Sequence, residues 1–246
     1  PCRWNYTLIE EKRPDSRIPI EETNLGTFIM SSKDLCMIEH IPELCESGIA
    51  SLKIEGRMKS AYYTAVVTNA YRMAIDAYCA NPTGYRFDPR WLEELESVSH
   101  REYGTGFFFS KPMEDPALVS TCGYIREKAY FSTATEYHEE ELAALVAAGI
   151  PAETADGRLY RFIQRNKLSV GDGAELISPG EVGRAFPVRE LYGPEGETLE
   201  STPHPSMIYW CRVPFPVRTG DILRAAEGRG LEVRAKDRLK GDKQGT

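Results

Sequence analysis

The stretch Ile49-Ala50-Ser51-Leu52-Lys53-Ile54-Glu55-Gly56-Arg57 decides the reading of the fold. Its alternation places Ala50, Leu52 and Ile54 on one face of an extended segment and Ser51, Lys53 and Glu55 on the other. That pattern predicts a strand over 49–57. Working back, a helix is predicted around His40 to Glu46, with Gly48 as its C-terminal stop, and a short buried strand over 26–32 before it. Working forward, Ser60 caps a long helix whose apolar positions Tyr63, Val66, Val67, Ala70, Ala74 and Tyr78 recur at helical spacing. Asp88-Pro89 then opens another helix through Ser97. Strand, helix, strand, helix with short joints predicts parallel strands, 26–31 beside 49–54, and an α/β architecture.

From about Leu118 the texture changes. Short β-rich runs alternate with turns such as Val170-Gly171-Asp172-Gly173, Pro194-Glu195-Gly196, Pro203-His204-Pro205 and Thr219-Gly220-Asp221. This predicts a small β-barrel or sandwich. A helical insert, Glu139 to Ala148 ending at Gly149, interrupts it. The polar, Pro-flanked segment 111–116 reads as a linker. The expected organisation is α/β over 1–116, all-β over 117–228, and a disordered polar tail over 229–246.

The net charge of the 246 residues is −7. The tail holds Arg229, Arg234, Lys236, Arg238, Lys240 and Lys243 against Glu232, Asp237 and Asp242, so the acidic excess lies in the body. A body of that sign does not advertise nucleic-acid binding, and the tail reads as a solvated end. No apolar run approaches the length of a membrane span. The first residues, Pro1-Cys2-Arg3-Trp4-Asn5-Tyr6, hold neither an initiator Met nor a signal-peptide core, so the sequence is expected to begin inside a longer protein. Six scattered cysteines in a chain too long to need disulfide staples point to the reducing cytoplasm.

In a closed parallel barrel, the polar face of 49–57 points inward. Burying Lys53 and Glu55 is costly unless they pair or meet a ligand, and both lie near the strand's C-terminal end, where barrel enzymes keep their active sites. With Arg57 they are the candidate catalytic groups; the bland alternative is a structural ion pair in the barrel rim. Cys36 follows Ser32-Lys33-Asp34-Leu35 at the top of the preceding strand, while Cys45, Cys79, Cys122 and Cys211 read as small hydrophobes. The run His100 to Phe109 combines charged groups, a Gly-X-Gly turn and aromatics that could line a pocket; the blander expectation is a loop that packs its aromatics under the barrel. Arg165-Asn166-Lys167 and His204 are candidate polar contacts, beside the blander reading of solvated turn residues.

Several blocks together resemble one known family. Pro1-Cys2-Arg3-Trp4, Glu11-Lys12-Arg13-Pro14, Ser32-Lys33-Asp34-Leu35-Cys36, Ile41-Pro42-Glu43-Leu44 and Leu52 to Ser60 are similar to the collagenase-like peptidase family, peptidase class U, family 32. Tyr62-Tyr63, Tyr71-Arg72, Asp76, Pro203-His204-Pro205 and Gly220-Asp221-Ile222-Leu223-Arg224 continue the likeness over nearly the whole chain. The resemblance implies the C-terminal part of a TIM-like (β/α) barrel, followed by a small β-barrel similar to domain II of translation elongation factors. It implies hydroxylation of the wobble uridine of tRNA, dependent on prephenate. Some members carry an iron–sulfur cluster on four cysteines, for which Cys36 and Cys2 are the matching ligands here. Ser32, Asp34 and Arg3, within the matching blocks, are expected to bind substrate.

Two other readings stand beside the RNA-modifying enzyme. One is the protease of the family's name, although neither His-Glu-X-X-His nor Gly-X-Ser-X-Gly occurs. The other is a non-catalytic RNA- or protein-binding module. The expected partner is tRNA, without a membrane, and an oligomer of one or two kinds of chain is compatible with the sequence. Because the barrel's earlier strands are absent, residues 1–246 alone are expected to be inactive, while the β-domain still folds.

Overall fold

The computed structural model describes residues 7–23, 26–29, 33–109 and 128–226. The expected boundary at 116 and the tail over 229–246 lie outside them. The chain forms two compact units, Pro1–His40 with Ser99–Ile125, and Ile41–Val98 with Arg126–Thr246.

In the first unit, β1 (Thr7–Glu10), β2 (Arg13–Thr23) and β3 (Gly26–Ile29) form an antiparallel meander, with Thr7 opposite Pro19 and Ile20 opposite Ile29. Two-residue strands β4 (Asp34–Leu35) and β5 (Tyr103–Gly104) pair in parallel. Two expectations are corrected here. Strand 26–29 exists, but its partner is β2, antiparallel, and not 49–54. The neighbour in sequence wins because closing a short connection costs little chain entropy. Residues 49–57 form no strand: most are exposed, and the Glu55 carboxylate turns back to accept the Arg57 N–H at 2.9 Å. Alternation alone makes no strand, because its backbone groups need a ladder partner, and among the described residues 49–57 has none. The parallel (β/α) barrel is therefore not seen among the described residues.

The second unit opens with α1 (Ile41–Glu46), which stops before Gly48 at φ +76°, a left-handed position that suits glycine. Helix α2 (Ala61–Ala80) starts at Ser60, whose Oγ accepts the Tyr63 N–H at 3.2 Å. It buries Tyr62, Val66, Val67, Ala70 and Ala74. Tyr62, not Tyr63, is the inward tyrosine; its ring stacks on Tyr130 and its hydroxyl meets Ser97. Helix α3 (Pro89–Glu96) follows, with Asp88 as N-cap and Pro89 at its first position.

The β-rich part is one curled antiparallel sheet. Its strands are β6 (Tyr130–Ala134), β7 (Glu153–Thr154), β8 (Gly157–Gln164), β9 (Gly173–Ile177), β10 (Arg184–Pro187), β11 (Leu191–Tyr192), β12 (Ile208–Val213) and β13 (Ile222–Ala225). The order is β10-β9-β13-β6-β8-β12-β11, with β7 on β8, so the expected small β-barrel or sandwich takes the form of a curled, open half-barrel. Phe131, Phe162, Leu176, Tyr209, Cys211 and Leu223 fill its concave core. The insert α4 (Glu139–Ala147) packs Leu142 and Leu145 over Trp210 and Leu159, two large side chains on the other face of β8 and β12. It gives those strands a second buried face.

A buried ion network ties α3 to the sheet. The Arg224 guanidinium on β13 donates to Glu94 at 2.8 Å, to Glu175 at 2.7 Å and to Ser97 Oγ at 2.5 Å. Lys128 completes it on Glu175 at 2.8 Å. Gly183 lies against this cluster; a Cβ there would stand 2.7 Å from both Arg224 and Glu175. Asn69 on α2 adds a second clasp, accepting the Gly180 N–H at 2.7 Å and donating to the Glu181 carbonyl at 2.9 Å. Among the described residues, no helix is long and apolar enough to cross a membrane.

Candidate functional site

The densest polar arrangement of the first unit grows from the β4–β5 pair. The Asp34 N–H reaches the Glu102 carbonyl at 2.9 Å, and the Cys36 N–H reaches Gly104 at 3.0 Å. This register brings the Asp34 carboxylate onto Arg101, from which it accepts the backbone N–H at 2.9 Å and the guanidinium at 2.9 and 2.7 Å. A forked, charge-assisted pair of this kind holds both side chains in one geometry. Next to it, His100 is 5% exposed. Its Nδ1 lies 2.7 Å from the Arg101 carbonyl, which only accepts, so the neutral ring carries its proton on Nδ1. That leaves Nε2 as a buried acceptor without a partner. The ring stacks on Tyr103 at 4.4 Å. Buried orphan acceptors are uncommon, and this one sets His100 apart among the polar groups around the β4–β5 pair.

His100 was not singled out as a site residue by sequence reasoning. The signal available was its place beside Arg101 and Tyr103, read there as a packing loop. The aromatics of that loop are not packed away: Phe107, Phe108 and Phe109 are 66%, 62% and 55% exposed.

Of the residues expected from sequence, Asp34 and Cys36 belong to this arrangement, with the Cys36 thiol half-buried. Arg3, Ser32 and Cys2 lie outside the described residues. Lys53, Glu55 and Arg57 belong to the other compact unit and are exposed, not turned into a barrel. Without a ladder to bury them, charged side chains stay in water.

Among the described residues, no three His, Cys, Asp or Glu side chains gather closely enough to hold a metal ion. Cys36 alone does not make the four-thiolate set of an iron–sulfur cluster. Cys211 is buried in the sheet core, and burial pushes its thiol up to about 12. A groove of about 520 Å³ lined by Asp76, Asp88, Arg90, Trp91, Glu181 and Arg184 has its acids and bases paired with one another or with Arg72. Gly220-Asp221-Ile222-Leu223-Arg224 is structural throughout: Asp221 accepts from Ser178 and the Arg218 N–H, both at 2.9 Å, and Arg224 anchors the ion network.

Comparison with known proteins bears on these groups. The profile of Peptidase family U32 matches residues 1–117, and that of the Peptidase family U32 C-terminal domain matches residues 144–224. The tRNA hydroxylation protein P1 of Bacillus subtilis (strain 168) is 32% identical over 223 residues, 91% of this chain and 49% of its own length. A Collagenase of Porphyromonas gingivalis (strain ATCC BAA-308 / W83) is 31% identical over 136 residues, 55% of this chain and 32% of its own. The crystal structure of the C-terminal domain of a Geobacillus thermoleovorans putative U32 peptidase shares 18% identity and a TM-score of 0.30, covering 39% of this chain and 91% of that one. The chain spans about half the length of the Bacillus relative. With both profiles matched, one on each side of residues 118–143, the chain belongs to peptidase family U32.

Proposed function

We propose that this chain is part of a protein that 5-hydroxylates the wobble uridine of tRNA in the cytoplasm, with prephenate as co-substrate. The observation that carries this reading is the 32% identity to a tRNA hydroxylation protein along 91% of the chain. In this reading Lys53, Glu55 and Arg57 are catalytic, while Ser32, Asp34 and Arg3 bind substrate in the TIM-like barrel of the whole protein. Arg101, fixed by Asp34, supplies a cation suited to an anionic co-substrate, and His100 Nε2 accepts a hydrogen bond or proton. Cys36 and Cys2 contribute thiolates to an iron–sulfur cluster whose remaining ligands lie outside this chain; such a cluster supplies one-electron chemistry when bound.

The test is mass spectrometry of tRNA nucleosides from cells lacking the gene. The expected result is loss of 5-hydroxyuridine-derived nucleosides, restored by the whole gene and not by residues 1–246 alone. Unchanged nucleosides in the deletion strain would sink the reading. Restoration by residues 1–246 would place the complete site in this chain. The likeness to a Collagenase favours a second reading, peptide hydrolysis, measured as gelatin cleavage by the same preparations.

A further inference from the structure

The β-domain carries a second polar surface, built from two turns far apart in the sequence. Strand β8 ends at Gln164, whose N–H bonds the Met207 carbonyl at 2.9 Å at the start of β12. Four residues on, Leu168 and Thr202 close a second rung: Thr202 N–H to Leu168 O at 2.8 Å, and Leu168 N–H to Thr202 Oγ1 at 3.0 Å. Arg165-Asn166-Lys167 and Pro203-His204-Pro205-Ser206 therefore bulge from the same two rungs and lie side by side at one rim of the half-barrel.

Both turns are fixed from beneath. The buried Gln164 amide donates to the Thr202 carbonyl at 3.1 Å and accepts the Ser206 N–H at 3.2 Å. Ser206 sits at φ +60°, the one non-glycine residue with a positive φ among those described. Such a conformation persists where surrounding contacts over-determine it. On the other side, the Arg165 and Asn166 N–H groups share the Phe131 carbonyl, at 2.7 and 3.0 Å, and the Asn166 amide donates to Tyr130 O at 2.6 Å. The two prolines remove further freedom from the second turn.

This frame presents two cations, Arg165 and Lys167, which are exposed together with His204. Lys128, Arg189, Arg212 and Arg224 are each committed to a carboxylate, whereas Arg165 and Lys167, like the exposed Arg158 and Arg218, make no ion pair among the described residues. The acids of the two segments, Asp172 and Glu200, fall beyond the Leu168–Thr202 rung, away from the turns. Unpaired cations on a rigid, preordered rim, in an acidic chain, suit a polyanion of fixed geometry.

We propose that Arg165, Lys167 and His204 form a docking surface for the phosphodiester backbone of RNA. This rests on the tRNA reading above and assigns the β-domain a part in it. Backbone contacts position a substrate without reading its sequence, which suits a domain whose only task is to hold the RNA.

The experiment measures binding of a fluorescently labelled tRNA anticodon stem-loop to the full chain across a salt series. Wild type is compared with R165A/K167A, with His204→Ala, and with Arg189→Ala as a paired-cation control. Thermal melting of each variant verifies the fold. The expected result is salt-dependent binding by wild type and a roughly tenfold or greater loss in the double variant. Its slope of log affinity against log salt should fall by about 0.7–0.9 for each cation removed, with the control unchanged. Equal affinity and slope in the folded double variant would overturn the docking surface while leaving the tRNA reading intact. Absence of RNA binding by wild type would also overturn it, and the nucleoside measurement in cells decides the tRNA reading independently.

Discussion

At the scale of single residues, the decisive contact is Arg224 with Glu94, 130 positions apart in sequence. Arg224 is 2% exposed, and the two glutamates on it are nearly as buried. Burial by itself lowers its pKa, but Tyr62 and the two glutamates outweigh that and raise it further, so it stays a cation. Burying charges is costly, and the cost is met only while every partner is present. Glu94→Ala removes one acceptor, exposes the Gly183 N–H to the loss of the same carboxylate at 2.8 Å, and is expected to destabilise by about 3–5 kcal/mol. Urea unfolding at unchanged m-value checks this; a change below about 1 kcal/mol would mean the network is not what it looks like. Nothing in the sequence joins Glu94 to Arg224. The Gly220 to Arg224 block was legible as a family resemblance, but its structural role was not. His100 escaped for a similar reason: an orphaned ring nitrogen is a property of what surrounds it.

At the scale of elements, helices were the legible part. The Ser60 start, the Gly48 stop, the Asp88-Pro89 start and the insert over 139–147 all stand where local capping and periodicity place them. These signals act within one turn of chain, so they survive any tertiary arrangement. The cap of α2 offers a direct measurement. Ser60→Ala should cost about 1 kcal/mol, and Ser60→Gly only a few tenths, both read by chemical unfolding. Equal losses for the two would show that the Oγ to Tyr63 N–H bond contributes little. Strands fared differently. The 49–57 alternation reads as a strand, yet it meets no partner among the described residues, whereas β2, eleven residues containing two prolines, pairs on both sides. A strand belongs to the ladder, and the ladder is not written in one segment.

At the scale of the molecule, the second compact unit joins segments far apart in the chain. Residues 41–98 fall within the stretch matched by one family profile, and the sheet over 144–224 is matched by another, yet they form one unit. The Asn69 clasp, the Tyr62–Tyr130 stack and the Arg224 network all bridge the two segments. Native-state hydrogen exchange on the full chain should therefore give the slowest amides of α3 and β13 the same opening free energy, within about 0.5 kcal/mol. An α3 that opens well below β13 would show two independently unfolding parts and would reduce the network to a surface contact.

The sequence by itself determined the helices and the family, because capping and periodicity are local and each needs only a few neighbouring residues. The tertiary structure decided the rest: that 26–29 pairs with β2 instead of 49–54, that the sheet stays an open half-barrel backed by α4, that Arg224 reaches Glu94, and that two turns 38 residues apart share one rim through Gln164. Those outcomes depend on ladder partners and on the burial of charge and polar groups, which only chain segments distant in sequence can supply.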